Sequence, residues 1–127
     1  MACKKPGPRG RPAHLETESQ FQARLVAAAR KIGYLHYHPH SSKRSEPGFP
    51  DLTLCKRRLI FIECKTATGK LSPDQARWII HLLGAGQEVY LARPEHYERI
   101  ICLLAGRADA ALAHETLQDA IVRRDKR

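Results

Sequence analysis

The chain has 127 residues, enough for one hydrophobic core, and its hydrophobic fraction of 43% excludes wholesale disorder. No apolar run is long enough to cross a membrane, and none follows the basic N-terminus as a secretory signal does. Lys and Arg number 22 against 13 Asp and Glu, a net charge of +9 that favours a polyanionic partner, since these side chains displace counterions from phosphates. The bland alternative is a basic surface with no partner. An anionic membrane is disfavoured because no basic amphipathic helix carries exposed aromatics. Cys3, Cys55, Cys64 and Cys102 show neither CxxC pairing nor zinc spacing. They are read as reduced thiols of an intracellular protein, and the expected location is the cytoplasm, of a bacterial cell or of the host if the chain is viral.

Residues 1–15 set Lys4, Lys5, Arg9 and Arg11 among prolines and glycines, a composition that reads as a flexible basic arm. Such an arm either folds onto a nucleic-acid backbone or remains a solvated tail. Residues 16–32 form the first predicted helix, with Phe21, Leu25, Ala28, Ala29 and Ile32 at three- and four-residue steps. Thr17 is the expected N-cap, Gln20 completes a capping box, and Gly33 is the stop. Glu18 sits at the N-terminal end of the apolar stripe, pointing an acid towards the core side; complementing the helix dipole is its commoner explanation.

Residues 34–38 read as a short strand, followed by a polar loop over 39–47. His36, His38 and His40 alternate there, but clustered cysteines or an HExxH helix are missing, so a zinc site is set aside. Lys43 and Arg44 in the loop are the better candidates for phosphate contact. Residues 51–55 alternate, with Leu52 and Leu54 on one face, and 56–58 make a polar turn. Leu59, Ile60, Phe61 and Ile62 then run apolar throughout, as in a strand buried on both faces. The two-residue period projects Glu63 and Lys65 from one face, and antiparallel pairing brings Asp51 opposite them.

Ser72, Pro73, Asp74 and Gln75 spell out a helix start: N-cap, proline in the first turn, acid for the dipole, and glutamine to close a capping box. That role alone is enough to explain Gln75. This helix runs through Trp78, Ile79, Leu82 and Leu83 to Gly84 or Gly86. Residues 88–92 form a further strand, 95–106 a helix and 109–124 a last helix, and 123–127 are a basic tail. The order is helix, three strands, helix, strand, two helices: an α/β domain over 16–122 with a small mixed sheet flanked by helices. The apolar residues from Trp78 to Leu83 and from Ile100 to Leu104 are the candidate dimer surfaces.

Two carboxylates on adjacent strands suit a hard, oxygen-seeking cation such as Mg²⁺ or Mn²⁺, which keeps several waters and accepts a phosphate oxygen. Lys65 beside such a site would help generate hydroxide or neutralise charge on a pentavalent phosphorus. An exposed Glu63–Lys65 ion pair is the competing explanation, because E-x-K is a common tripeptide. Pro50-Asp51 opening one strand, the buried strand before Glu63 and the basic surplus favour phosphodiester hydrolysis. Glycosidase chemistry also uses paired acids but gives Lys65 no role.

At these residues the chain resembles the VRR-NUC branch of the PD-(D/E)XK nucleases. The resemblance lies in Gly48-Phe49-Pro50-Asp51, in Ile62-Glu63-Cys64-Lys65 and in Gly69-Lys70-Leu71-Ser72-Pro73-Asp74-Gln75, and extends from Glu18 to about Tyr90. It implies a restriction-endonuclease-like core in which Asp51 and Glu63 bind the metal and Lys65 serves the nucleophilic water. Thr17 to Gln22 resembles the family's first-helix motif, implying that Glu18 also faces the metal. Gln75 matches the glutamine near the catalytic lysine. The Cys64 backbone carbonyl is a further candidate ligand, while its side chain, where the family usually has Val or Leu, is expected to pack as a small hydrophobe. Lys43, Arg44, Lys70, Arg9 and Arg11 are the expected DNA contacts. Compact members resemble Holliday-junction resolvases, so the resemblance implies a homodimeric endonuclease for branched DNA. A non-catalytic DNA-binding module and a sequence-specific restriction-type nuclease are the alternatives.

Overall fold

The computed structural model describes residues 16–39 and 46–124. The elements are α1 (Glu18–Ile32), β1 (Leu35–Tyr37), β2 (Leu52–Cys55), β3 (Leu59–Cys64), α2 (Pro73–Gly84), β4 (Glu88–Ala92), α3 (Tyr97–Ala105) and α4 (Ala110–Arg124). Both predicted capping boxes form. Thr17 and Ser72 are extended, their hydroxyls accept from the Gln20 and Gln75 N–H groups, and each glutamine side chain reaches back to its cap. Because Thr17 is the cap, the first helix starts at Glu18, not at residue 16. Gly33, at φ 109°, ends it in the left-handed conformation that a residue with a Cβ rarely adopts. The third predicted helix begins later than expected, since Pro94–His96 form a single 3-10 turn before α3.

The four strands lie in the order β1-β2-β3-β4, antiparallel at the first two junctions and parallel at the last. Helices cover both faces. Ile60, Ile62 and Cys64 pack with Phe21 and Leu25 of α1 and with Ile100, Leu103 and Leu104 of α3. Phe61 packs on the other side with Ala76 and Ile79 of α2 and Ala120 of α4. This two-sided cover is why β3 is apolar at successive positions, whereas β2 buries Leu52 and Leu54 and leaves Cys55 exposed. Arg58 locks the far end of the sheet. Its guanidinium pairs with Glu88 at 2.9 Å and donates to the carbonyls of Leu103 and Gly106 at the end of α3.

Two expectations are corrected. Ile100, Leu103 and Leu104 are at most 3% exposed and belong to the core, so they offer no dimer surface. Cys102 is disulfide-bonded, not a reduced thiol; Cys55 and Cys64 are free. The basic arm over 1–15 and residues 125–127 lie outside the described residues, while Arg123 and Arg124 are the last residues of α4. Among the described residues the exposed large apolar side chains include Leu35 and Tyr37 of the edge strand β1. No helix among them is long and apolar enough to cross a membrane.

Candidate active site

The antiparallel register pairs Leu52 with Ile62. One step beyond it Asp51 stands level with Glu63, and the Asp51 carboxylate fastens this end of the pairing by accepting from the Cys64 N–H at 2.9 Å. Lys65 extends β3 by one residue at this same end, on the β4 side, donating its N–H to the Ala92 carbonyl at 3.0 Å. The alternation of the strand therefore keeps Glu63 and Lys65 on one face. The first helical residue of α1, Glu18, completes the group. Carboxylate oxygens of Glu18, Asp51 and Glu63 all lie within 4.8 Å of one another.

Glu63 is the most constrained of the three, at 1% exposure. Its Oε2 accepts from Gln75 Nε2 at 3.1 Å, and its Oε1 is buried with no hydrogen-bond partner among the described residues. Burial first, and then the adjacent Asp51, push its carboxyl up to about 10, against the pull of the Lys65 ammonium. Glu18 is also raised, again by burial, with Lys65 opposing and Asp51 adding. Three oxygen donors this close, one with an unused buried lone pair, fit a hard divalent cation. The cation would neutralise the repulsion and take up the orphaned oxygen. Cys64 packs inward at 0% exposure, as expected, and burial holds its thiol well above the usual range. Its backbone lies at the β3–β4 position paired with Ala92.

Gln75 combines the cap role read from its spacing with the site role that the resemblance implies. Its Oε1 accepts from the Ser72 N–H at 2.8 Å as the helix cap, while its Nε2 holds Glu63. Gly48 explains the first letter of its motif. At φ 90°, a Cβ there would sit 2.4 Å from the Asp74 carbonyl carbon and 2.7 Å from the Gln75 nitrogen, so only glycine lets this loop lie on the start of α2. The loop is clamped further by Trp78, whose indole donates to the Pro47 carbonyl at 3.1 Å, and by Phe49 edge-on to Trp78 and Phe61. A cleft of about 250 Å³ opens beside Asp51 and Gln75, lined also by Gln22, His38, Gly48 and Phe49.

Of the expected DNA contacts, Lys70 is exposed on the loop after Lys65; Lys43, Arg44, Arg9 and Arg11 lie outside the described residues. His36 and His38 are exposed on the β1 side and belong to no metal-ligand cluster among the described residues. Arg93 was missed by the sequence reading. Its Nη1 donates to the carbonyls of Thr66 at 2.7 Å and Gly69 at 2.6 Å, tying down the loop that follows Lys65. An arginine before a proline at a strand end carries no distinctive pattern, so no sequence signal marks it.

A mixed α/β sheet that gathers three acids, a lysine and a glutamine at one end, in a chain of +9, has the make-up of a nuclease-type DNA-processing domain. The VRR-NUC domain family matches residues 6–95, and the chain belongs to that family. The match takes in Glu18, Asp51, Glu63, Lys65 and Gln75 and stops before α3 and α4. No curated protein and no solved structure matches the chain.

Proposed function

We propose that the chain is a Mg²⁺- or Mn²⁺-dependent endodeoxyribonuclease that hydrolyses phosphodiester bonds in branched DNA, such as four-way Holliday junctions, as a homodimer. The observation that carries this reading is the buried Glu63 oxygen that has no hydrogen-bond partner among the described residues and stands close to two further carboxylates. An acid is tolerated in so dry a place when a cation completes it.

Glu18, Asp51 and Glu63 hold the ion, and the Gln75 amide fixes the orientation of Glu63. When bound, the ion supplies Lewis-acid polarisation of the scissile phosphate and lowers the pKa of a water. Lys65 stands beside the acids, where its ammonium neutralises charge that builds on the phosphoryl oxygens as water adds and the leaving oxygen departs. The Gly48 loop and α2 hold Asp51 and Gln75 at the mouth of the cleft. The family resemblance supports a branched substrate, and a twofold dimer offers two sites to two equivalent strands. Leu35 and Tyr37, 75% and 63% exposed on an outer strand, support β1 as the dimer seat.

The test is cleavage of labelled linear, splayed, flap and four-way junction DNA in Mg²⁺, in Mn²⁺ and in EDTA, with the solution mass measured by light scattering. Metal-dependent cutting of the junction by a particle of twice the chain mass is expected. Equal cutting of linear duplex overturns the selectivity, and a monomeric mass overturns the dimer.

A further inference from the structure

The loop over 65–71 separates two polar sites. On one side stands Lys65 with the acids. On the other a cleft of about 200 Å³ opens between this loop, the end of β4 and the last turn of α4. Lys70, Arg93 and Arg123 line it, together with a single acid, Asp119. Among the described residues none of these three cations forms an ion pair, whereas Arg24, Arg58, Arg77 and Arg99 each do. The cations are also placed by the backbone. Arg93 is pinned through Nη1 to the Thr66 and Gly69 carbonyls, and Arg123 through Nε to the Leu71 carbonyl. Their other guanidinium donors have no partner among the described residues. A guanidinium with one edge fixed and one edge free is pre-organised for an anion with paired oxygens.

The loop itself is tightly folded. The Thr66 hydroxyl accepts from the Gly69 N–H at 3.0 Å, and a Cβ at Gly69 would lie 3.5 Å from Lys65 Cδ. Lys65 and the cleft are thus coupled through one short knuckle that Arg93 holds from behind. Arg123 comes from α4, outside the matched family region, so this wall of the cleft is supplied by the chain's own C-terminal helix.

We propose that Lys70, Arg93 and Arg123 form a second phosphate subsite, which holds a backbone phosphate of the nucleic-acid strand next to the one presented to Lys65. This rests on the reading of the chain as a DNA-processing enzyme. Asp119 opposes the bound phosphate and limits its affinity, so the subsite grips the strand without trapping it. Arg93 doubles as a positioning residue for the loop that follows Lys65.

The experiment is fluorescence anisotropy of a labelled mixed-sequence duplex with the full chain in EDTA, across a salt series. Wild type is compared with Lys70→Ala, Arg123→Gln, the double variant and Asp119→Asn. Lys31→Ala, an exposed charge at the end of α1, serves as the charge-matched control. Each of the two single losses is expected to weaken binding by about tenfold near 0.1 M salt and to flatten the slope of log K against log salt by about 0.9. Lys31→Ala is expected to leave both unchanged. Asp119→Asn is expected to tighten binding, a gain that misfolding cannot imitate. If wild type binds DNA and the double variant matches it in affinity and slope, the subsite is refuted while the nuclease reading stands. If Lys31→Ala weakens binding as much as Lys70→Ala, the cations act by net charge and no subsite exists. If wild type binds no DNA at any salt, both readings fall.

Discussion

Gln75 Nε2 donates to Glu63 Oε2 across 3.1 Å while Gln75 Oε1 accepts from the Ser72 N–H across 2.8 Å, so one amide ends a helix and orients a buried acid. The geometry of the cap therefore sets the geometry of the site. Replacing Gln75 by Glu preserves the capping oxygen but sets a fourth carboxylate against Glu63. Gln75→Glu is expected to destroy nuclease activity while destabilising the fold more than the loss of about 1 kcal/mol typical of a missing cap. Gln75→Ala is expected to lose about that much, with activity reduced less than in Gln75→Glu. Urea unfolding and junction cleavage, run on both variants, check this order.

Glu63 is raised to about 10 by burial and by Asp51, so the metal-free fold holds it protonated at neutral pH, and taking up that proton costs stability that grows as pH rises above the ordinary value of 4.5. Glu63→Gln removes that burden and offers an amide N–H to the orphaned side of the site. The metal-free variant is expected to be more stable than wild type by about 1–3 kcal/mol, several degrees in Tm, and to lose stabilisation by Mn²⁺. Thermal melts in EDTA and in Mn²⁺ read both effects; a destabilised apo variant would show that Glu63 is structural.

Gly48 lies where any Cβ would meet the backbone of Asp74 and Gln75. Gly48→Ala adds a left-handed backbone penalty of about 1–2 kcal/mol to that overlap. The loop is expected to lift from α2, breaking the Trp78–Pro47 hydrogen bond and displacing Asp51. Tryptophan fluorescence reports the first event and activity the second. An alanine variant with wild-type fluorescence would place the clash elsewhere.

Far from the site, the Arg58–Glu88 pair governs acid stability. Burial works to raise the Glu88 carboxyl, but hydrogen bonds from Arg58 and Tyr90 outweigh it and leave it lowered; the Arg99 hydrogen bond lowers Asp109. Lowered folded values mean that both groups contribute stability above their unfolded values of 4.5 and 3.8, and lose it as pH falls through their folded values. Arg58→Met is expected to cost about 2 kcal/mol at pH 7 and less at pH 3, nearer the lowered folded value of Glu88. Urea midpoints at the two pH values measure the difference.

Much of this arrangement is legible in the residues themselves. Thr17-x-x-Gln20 and Ser72-Pro73-x-Gln75 announce both helix starts because capping is local chemistry, and the unbroken apolar run before Glu63 announces a strand covered twice. Asp51 and Glu63 converge as the strand period and antiparallel pairing predict, and Glu18 joins them as the family resemblance implies. Other features were hidden because they depend on elements distant in sequence. Glu63 and Gln75 meet only after the chain turns over the sheet; local spacing explains Gln75 as a cap alone, and it is the family resemblance that places it near the catalytic lysine. Arg93 acts on carbonyls more than twenty residues earlier, a backbone contact that leaves no trace in residue pattern. Ile100 to Leu104 is apolar enough for either a dimer face or a core, and only the packing of α3 against α1 decides for the core.

Cleavage of a labelled four-way junction in Mg²⁺ and in Mn²⁺ by wild type, Asp51→Asn and Lys65→Ala tests the acid–lysine site most directly. Metal-dependent cutting by wild type is predicted, with both variants slowed at least about 100-fold while still binding the junction, as expected when transition-state charge loses its partner. Variants that cut as fast as wild type, or a wild type that binds the junction and never cuts it in either metal, would contradict the assignment.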